Sequence, residues 1–117
     1  MANHRDFYAG KRVFVTGGSS GIGRAVALEL ARAGASVWIS ARGEKRLQET
    51  VAELEKVGSG TFGYTALDIA DRDQVRELVP AIVEQLGGLD VLINNAGIAH
   101  PATILQTPDE VFDSMMA

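Results

Sequence analysis

The stretch Thr16-Gly17-Gly18-Ser19-Ser20-Gly21-Ile22-Gly23 constrains the fold more than any other part of the chain, because of what lies on either side of it. Before it, Arg12 to Thr16 (RVFVT) is a short β-branched run; after it, Ile22, Val26, Leu30 and Ala33 recur at helical spacing. A strand, a glycine turn and a helix in that order bring backbone N–H groups and the positive end of a helix dipole to one point, where a pyrophosphate can be received. Gly17 lets the chain turn off the strand, and Gly21 removes a Cβ from the path of a phosphate. Gly23 lets the helix pack closely, while Ser19 and Ser20 add hydroxyl donors.

Downstream, strand and helix signals keep alternating. Gly34 ends the first helix as a C′ residue, and Ser36 to Ala41 (SVWISA) is a second strand. A charged helix follows from about Glu44 to Lys56, with Leu47, Val51 and Leu54 inward, and a loop from Gly58 to Gly63. A third strand runs to about Leu67, Asp71 caps a helix reaching Leu86, and Leu89 to Ile93 (LDVLI) is a fourth strand. Thr107-Pro108-Asp109-Glu110 then carries an N-cap, a proline at N1 and a glutamate at N3. The pattern predicts an α/β fold on a parallel sheet, and right-handed crossovers give the strand order 3-2-1-4, the N-terminal half of a Rossmann-type doubly wound sheet. In that half the fourth strand is left as an edge. It is apolar on both faces, as a central strand should be, so residues 1–117 read as one truncated dinucleotide-binding half-domain with the catalytic part absent.

A literal GxGxxG occurs at Gly58-Ser59-Gly60-Thr61-Phe62-Gly63, but it follows a helix and precedes a strand. No helix N-terminus points into it, which argues against a phosphate role. The turn at 16–23 instead resembles the TGxxxGxG signature of short-chain dehydrogenases/reductases, and Asn94-Asn95-Ala96-Gly97 after the fourth strand resembles that family's NNAG. The resemblance implies that Asp68, at the end of the third strand, bonds the adenine amino group, with Ile69 against the ring. It implies that Asn95, Ala96 and Gly97 line the ribose beyond the pyrophosphate and that Asn94 ties strands together.

About 20 residues past the glycine turn, a carboxylate would accept from the ribose hydroxyls of NAD, whereas a guanidinium suits a 2′-phosphate. Ala41-Arg42 stands there, where NAD-preferring members of the family usually carry aspartate at the position of Ala41. The cofactor expected is therefore NADP(H). Arg42 forks onto the phosphate, and Arg46, taken as one helical turn later on the same face, is a second cation or a solvated helix position.

The serine and the YxxxK pair that the resemblance implies for proton relay have no counterpart here. Tyr8 and Tyr64 lack a lysine at the required spacing, so no residue of this chain is expected to be catalytic. His4 and His100 are isolated, and no metal site is expected. Phe7 to Lys11, Ala41-Arg42, Ala99-His100-Pro101 and Phe112 to Met116 resemble the 3-ketosphinganine reductases of this family. The expected activity is NADPH-dependent reduction of a ketone or 3-oxo lipid; a 3-oxoacyl-ACP reductase-like enzyme and a non-catalytic dinucleotide-binding module remain alternatives.

The net charge of −4 argues against a nucleic-acid partner. The chain has no cysteine and no secretory or transmembrane run, so a cytoplasmic location is expected. The resemblance implies that the intact protein is a homo-oligomer acting on a small-molecule ketone or 3-oxo lipid.

Overall fold

Alternating side chains on β-branched strands fix the architecture, because each strand must bury both of its faces. In the computed structural model, which describes residues 7–19 and 21–95 and the backbone of 103–104, β1 (Arg12–Thr16) leads into α1 (Gly21–Arg32) and β2 (Ser36–Ala41). Next come α2 (Glu44–Val57), β3 (Phe62–Ala66), α3 (Arg72–Leu86), β4 (Val91–Asn94) and β5 (Thr103–Ile104). Val13, Val15, Val37 and Ile39 project to one face, where they pack with Leu28, Leu47 and Leu54 of α1 and α2. Phe14 and Leu92 project to the other, under Val75, Val79 and Ile82 of α3. The result is a sheet with helices on both sides.

The strands lie in the order β3-β2-β1-β4-β5. Among β1 to β4 every pairing is parallel, Val15 standing between Ile39 of β2 and Ile93 of β4. This is the expected 3-2-1-4 arrangement. The expectation that β4 forms an open edge is corrected: β5 runs antiparallel beside it, with Val91 opposite Ile104 and Leu92 opposite Thr103. The reason is the backbone of β4, whose outer N–H and C=O groups would otherwise lack ladder partners beside buried Val91 and Leu92.

Element ends follow local chemistry. Gly34 (φ +94°) and Gly87 (φ +80°) end α1 and α3 in the left-handed region. Asp71 caps α3 by accepting from the backbone N–H of Asp73 (3.1 Å) and Gln74 (3.2 Å). The fourth strand begins at Val91 rather than Leu89, since Asp90 turns its carboxylate onto β1. It accepts from the Arg12 backbone N–H (2.8 Å), Nε (3.1 Å) and Nη2 (3.3 Å). The Arg12 guanidinium holds the Asp90 carboxyl below the usual carboxylate range.

The glycines of the literal GxGxxG serve packing. A Cβ on Gly58 would stand 2.7 Å from the Ala31 carbonyl oxygen, one on Gly60 2.8 Å from that of Ala35, and one on Gly63 would overlap the Trp38 ring. Trp38, half-buried, donates its indole N–H to Thr65 Oγ1 at 2.9 Å.

Candidate dinucleotide site

All described candidate residues except Arg46 collect at the carboxyl ends of β1 to β4. There the strand order reverses, since β1 has β2 on one side and β4 on the other. Open α/β sheets bind ligands in this crevice. Gly17 leaves β1 at φ +69° and Gly21 enters α1 at φ +58°, both conformations that favour glycine. A Cβ on Gly21 would meet nothing within 4 Å among the described residues, so these leave open space at the first turn of the helix. Gly23 is buried, and a Cβ there would overlap the Gly17 carbonyl and stand 2.9 Å from Asn95 Nδ2. Its close packing is therefore against the turn and the end of β4 more than against the sheet.

Two turn donors are already engaged, the N–H groups of Gly17 and Gly18 pointing to the Ser40 carbonyl at 2.7 and 3.3 Å. Gly18 also lies directly over Ile39, whose Cγ2 is 2.7 Å from where a Cβ would be. The N–H groups of the first turn of α1, at Gly21, Ile22 and Gly23, have no intrahelical acceptor. Ile22 is 74% exposed, an unusual position for a large aliphatic residue, at the mouth of this turn. Ser19 is half-buried in the turn itself. Thr16, fully buried, donates its hydroxyl to Asn94 Oδ1 (2.8 Å) and accepts from the Asn95 N–H (2.9 Å), which fixes the end of β4 to the end of β1.

Beside the turn lies a cleft of about 380 Å³ lined by Gly17, Ala41, Arg42, Leu67, Asp68 and Ile69, among others. Leu67 and Ile69 supply apolar walls. Asp68 holds its Oδ1 against the Ala70 N–H (3.0 Å), and its Oδ2 accepts no hydrogen bond from the described residues. The Arg42 guanidinium, exposed at the rim, has no hydrogen bond or ion pair among the described residues.

Arg46 does not line this cleft, which corrects the expectation that it shares a face with Arg42. The i,i+4 relation holds only within a helix, and α2 starts at Glu44 behind an extended Gly43, so Arg42 precedes the helix. Ser20, Ala96 and Gly97 lie outside the described residues, as do His4, His100 and the 107–110 cap. Tyr64 is remote from the cleft, its hydroxyl accepting from Gln48 Nε2 at 3.0 Å. Sequence reasoning missed Gln74, whose amide reaches the backbone of Asp68; its position three residues after the Asp71 cap was the available signal. Among the described residues no helix is long and apolar enough to cross a membrane, and no cluster of His, Cys, Asp or Glu could hold a metal ion.

A parallel sheet with a glycine turn at its switch point and a cleft beside it defines a Rossmann-type nucleotide-binding protein. The short chain dehydrogenase family model matches residues 11–117, and the chain belongs to that family of oxidoreductases. It is 40% identical over 116 residues to glucose 1-dehydrogenase of Gluconobacter oxydans, covering 99% of this chain and 44% of that protein. It is 37% identical over 107 residues to the 3-oxoacyl-[acyl-carrier-protein] reductase FabG of Staphylococcus aureus, covering 91% of this chain and 43% of that enzyme. Among solved structures, an NADH-dependent reductase A1-R′ complexed with NAD superposes with a TM-score of 0.72 at 38% identity, over 80% of this chain and 39% of that one. The chain thus spans about two-fifths of the length of these relatives.

Proposed function

We propose that this chain is the cofactor-binding part of an NADPH-dependent reductase that converts a ketone or 3-oxo substrate to an alcohol. The observation that carries the cofactor choice is the pair Ala41-Arg42: the end of β2 presents no carboxylate, and the adjoining guanidinium is uncommitted at the rim of the cleft. A nicotinamide dinucleotide fits the residues present. The first turn of α1 and the open space at Gly21 suit the pyrophosphate, while the cleft between Arg42 and Asp68 suits the adenosine, with Ile69 against the base and Asp68 Oδ2 as acceptor for its amino group. Bound NADPH would supply the hydride for the carbonyl carbon, a proton reaching the oxygen to complete the alcohol. The residues of this chain bind and orient. Arg42 neutralises the 2′-phosphate, Ser19 and Ile22 serve the pyrophosphate and Asn95 the ribose, and the family resemblance assigns Ser20 to the first group and Ala96 and Gly97 to the second. Arg46 offers a second positive charge further along α2.

The names of the relatives support a carbonyl or hydroxyl substrate, and the 3-oxoacyl reductase supports a 3-oxo group in particular. Within that class, 3-ketosphinganine and 3-oxoacyl thioesters are the substrates to assay. We read the intact enzyme as a cytoplasmic homo-oligomer, which sedimentation of the native protein from the soluble fraction tests.

The deciding experiment is a pair of titrations with NADPH and NADH. NADPH should bind more tightly, and Arg42→Ala should weaken it roughly ten- to a hundredfold while changing NADH far less, as expected for a lost charge-assisted hydrogen bond. Ala41→Asp should reverse the preference by opposing the phosphate and offering the NADH ribose an acceptor. Tighter binding of NADH to the unmodified protein would refute the cofactor choice.

A further inference from the structure

We infer that Gln74 is a positioning residue for base recognition: it holds Asp68 so that one carboxylate oxygen alone remains to read the adenine. The inference rests on the proposal that Asp68 meets the adenine amino group. Its basis is a closed set of hydrogen bonds that joins the end of β3 to the start of α3.

The ladder between β2 and β3 ends at Leu67, whose N–H donates to the Ala41 carbonyl at 2.9 Å. Successive N–H groups of a strand point to opposite sides, so the next one, that of Asp68, faces the outer edge of β3, where the sheet has no further strand among the described residues. Gln74 Oε1 takes it, at 3.1 Å. The other end of the same amide is also fixed, Nε2 donating to Asp71 Oδ2 at 3.1 Å, while Asp71 Oδ1 caps the helix that carries Gln74. The Asp68 carbonyl accepts from the Asp71 N–H (2.9 Å) and its Oδ1 from the Ala70 N–H (3.0 Å). Every polar atom of Asp68 but Oδ2 is thus tied to residues 70–74, and Gln74 is the only side chain in the set that bonds its backbone N–H. A capping-box glutamine ordinarily reaches back to the N–H of the cap itself. Here it reaches three residues further, past Asp71 to the residue on the cleft.

A purely structural role would lower stability alone; a positioning role changes which base the site prefers. The probes are NADPH and its hypoxanthine analogue, in which a carbonyl oxygen replaces the adenine amino group and faces the carboxylate unfavourably. Titrated against the full chain, the adenine form should bind about tenfold more tightly, the scale of one charge-assisted hydrogen bond. Gln74→Met keeps length and helix propensity but removes both bonds, and should collapse most of that ratio. Asp68→Asn should collapse it too, and the double variant should do no more than Asp68→Asn alone. Gln74→Glu keeps an acceptor for the Asp68 N–H but loses the donor to Asp71 Oδ2 and sets two carboxylates together, so it should retain part of the ratio, and a thermal melt of each variant separates misfolding from loss of positioning. If Asp68→Asn abolishes the ratio and folded Gln74→Met leaves it intact, Gln74 is only a helix cap and the inference is overturned. If Asp68→Asn itself leaves the ratio unchanged, the adenine reading of Asp68 fails, and the role of Gln74 fails with it.

Discussion

Replacing Gly23 by alanine tests the geometry of the turn, because two opposing effects can be weighed. Gly23 lies inside α1 with no positive φ, so in an isolated helix the substitution would stabilise by about 1 kcal/mol. Against this, the new methyl would overlap the Gly17 carbonyl and stand 2.9 Å from Asn95 Nδ2, where carbon contacts normally settle at roughly 3.5–4.0 Å. Gly17 cannot retreat freely, since its N–H is bonded to Ser40 at 2.7 Å and its φ is already +69°. Overpacking of this kind costs about 1–3 kcal/mol, and loss of the Gly17 bond about 1 kcal/mol more. The packing terms win, and Gly23→Ala should be destabilised by about 1–3 kcal/mol net, with weakened dinucleotide binding as the turn shifts. Thermal melts and calorimetric titration with NADPH read the two effects. Gly21→Asn is the comparison: no described atom lies within 4 Å of that Cβ, and asparagine adopts φ +58° at a smaller cost than most residues, so its melt should fall by less than that of Gly23→Ala. A Gly23→Ala protein that melts as high as the unmodified one and binds NADPH equally well would refute the steric argument.

Asp90→Asn should destabilise by about 1–2 kcal/mol, because the carboxylate serves three Arg12 donors on a partly exposed surface. Its folded-state pKa is lowered, so this stabilisation is complete above the unfolded value of about 4 and is lost as pH falls through the folded value; the difference in melting temperature between the two proteins should therefore shrink on going from pH 6 to pH 3, and a constant difference would count against it. Gly63→Ala should lower the melting temperature through overlap with Trp38 while leaving NADPH affinity unchanged; a loss of affinity would show that the literal GxGxxG touches the ligand after all.

How much of this was legible in the sequence depends on the range of the interactions. Strand order, helix faces and the caps at Gly34 and Asp71 were readable because each rests on periodicity or on a residue and its near neighbours. The turn glycines were readable as a group, but the partners of Gly23 were not, since Gly17 and Asn95 meet there only after β1 and β4 pair. The partner of β4 was missed for a similar reason: Thr103–Ile104 is too short to show a strand pattern, and what makes it a strand is the unfilled ladder beside it. Arg46 was misplaced because a helical spacing was carried across Gly43, where the chain is extended.

The same cause links these misses to the function. Ser40 takes the N–H groups of Gly17 and Gly18, Thr16 ties Asn94 and Asn95, and Gln74 holds Asp68, so each point offered to a dinucleotide is braced by a residue on a different element. Preorganisation of this kind spares the ligand the work of ordering the loops as it binds. Residues that would touch the ligand show themselves as motifs. Those that hold them in place do so through contacts that only the folded sheet creates, so Thr16→Val and Gln74→Met should weaken binding through Asn95 and Asp68, whereas Ser40 acts through its main-chain carbonyl, which substitution leaves in place.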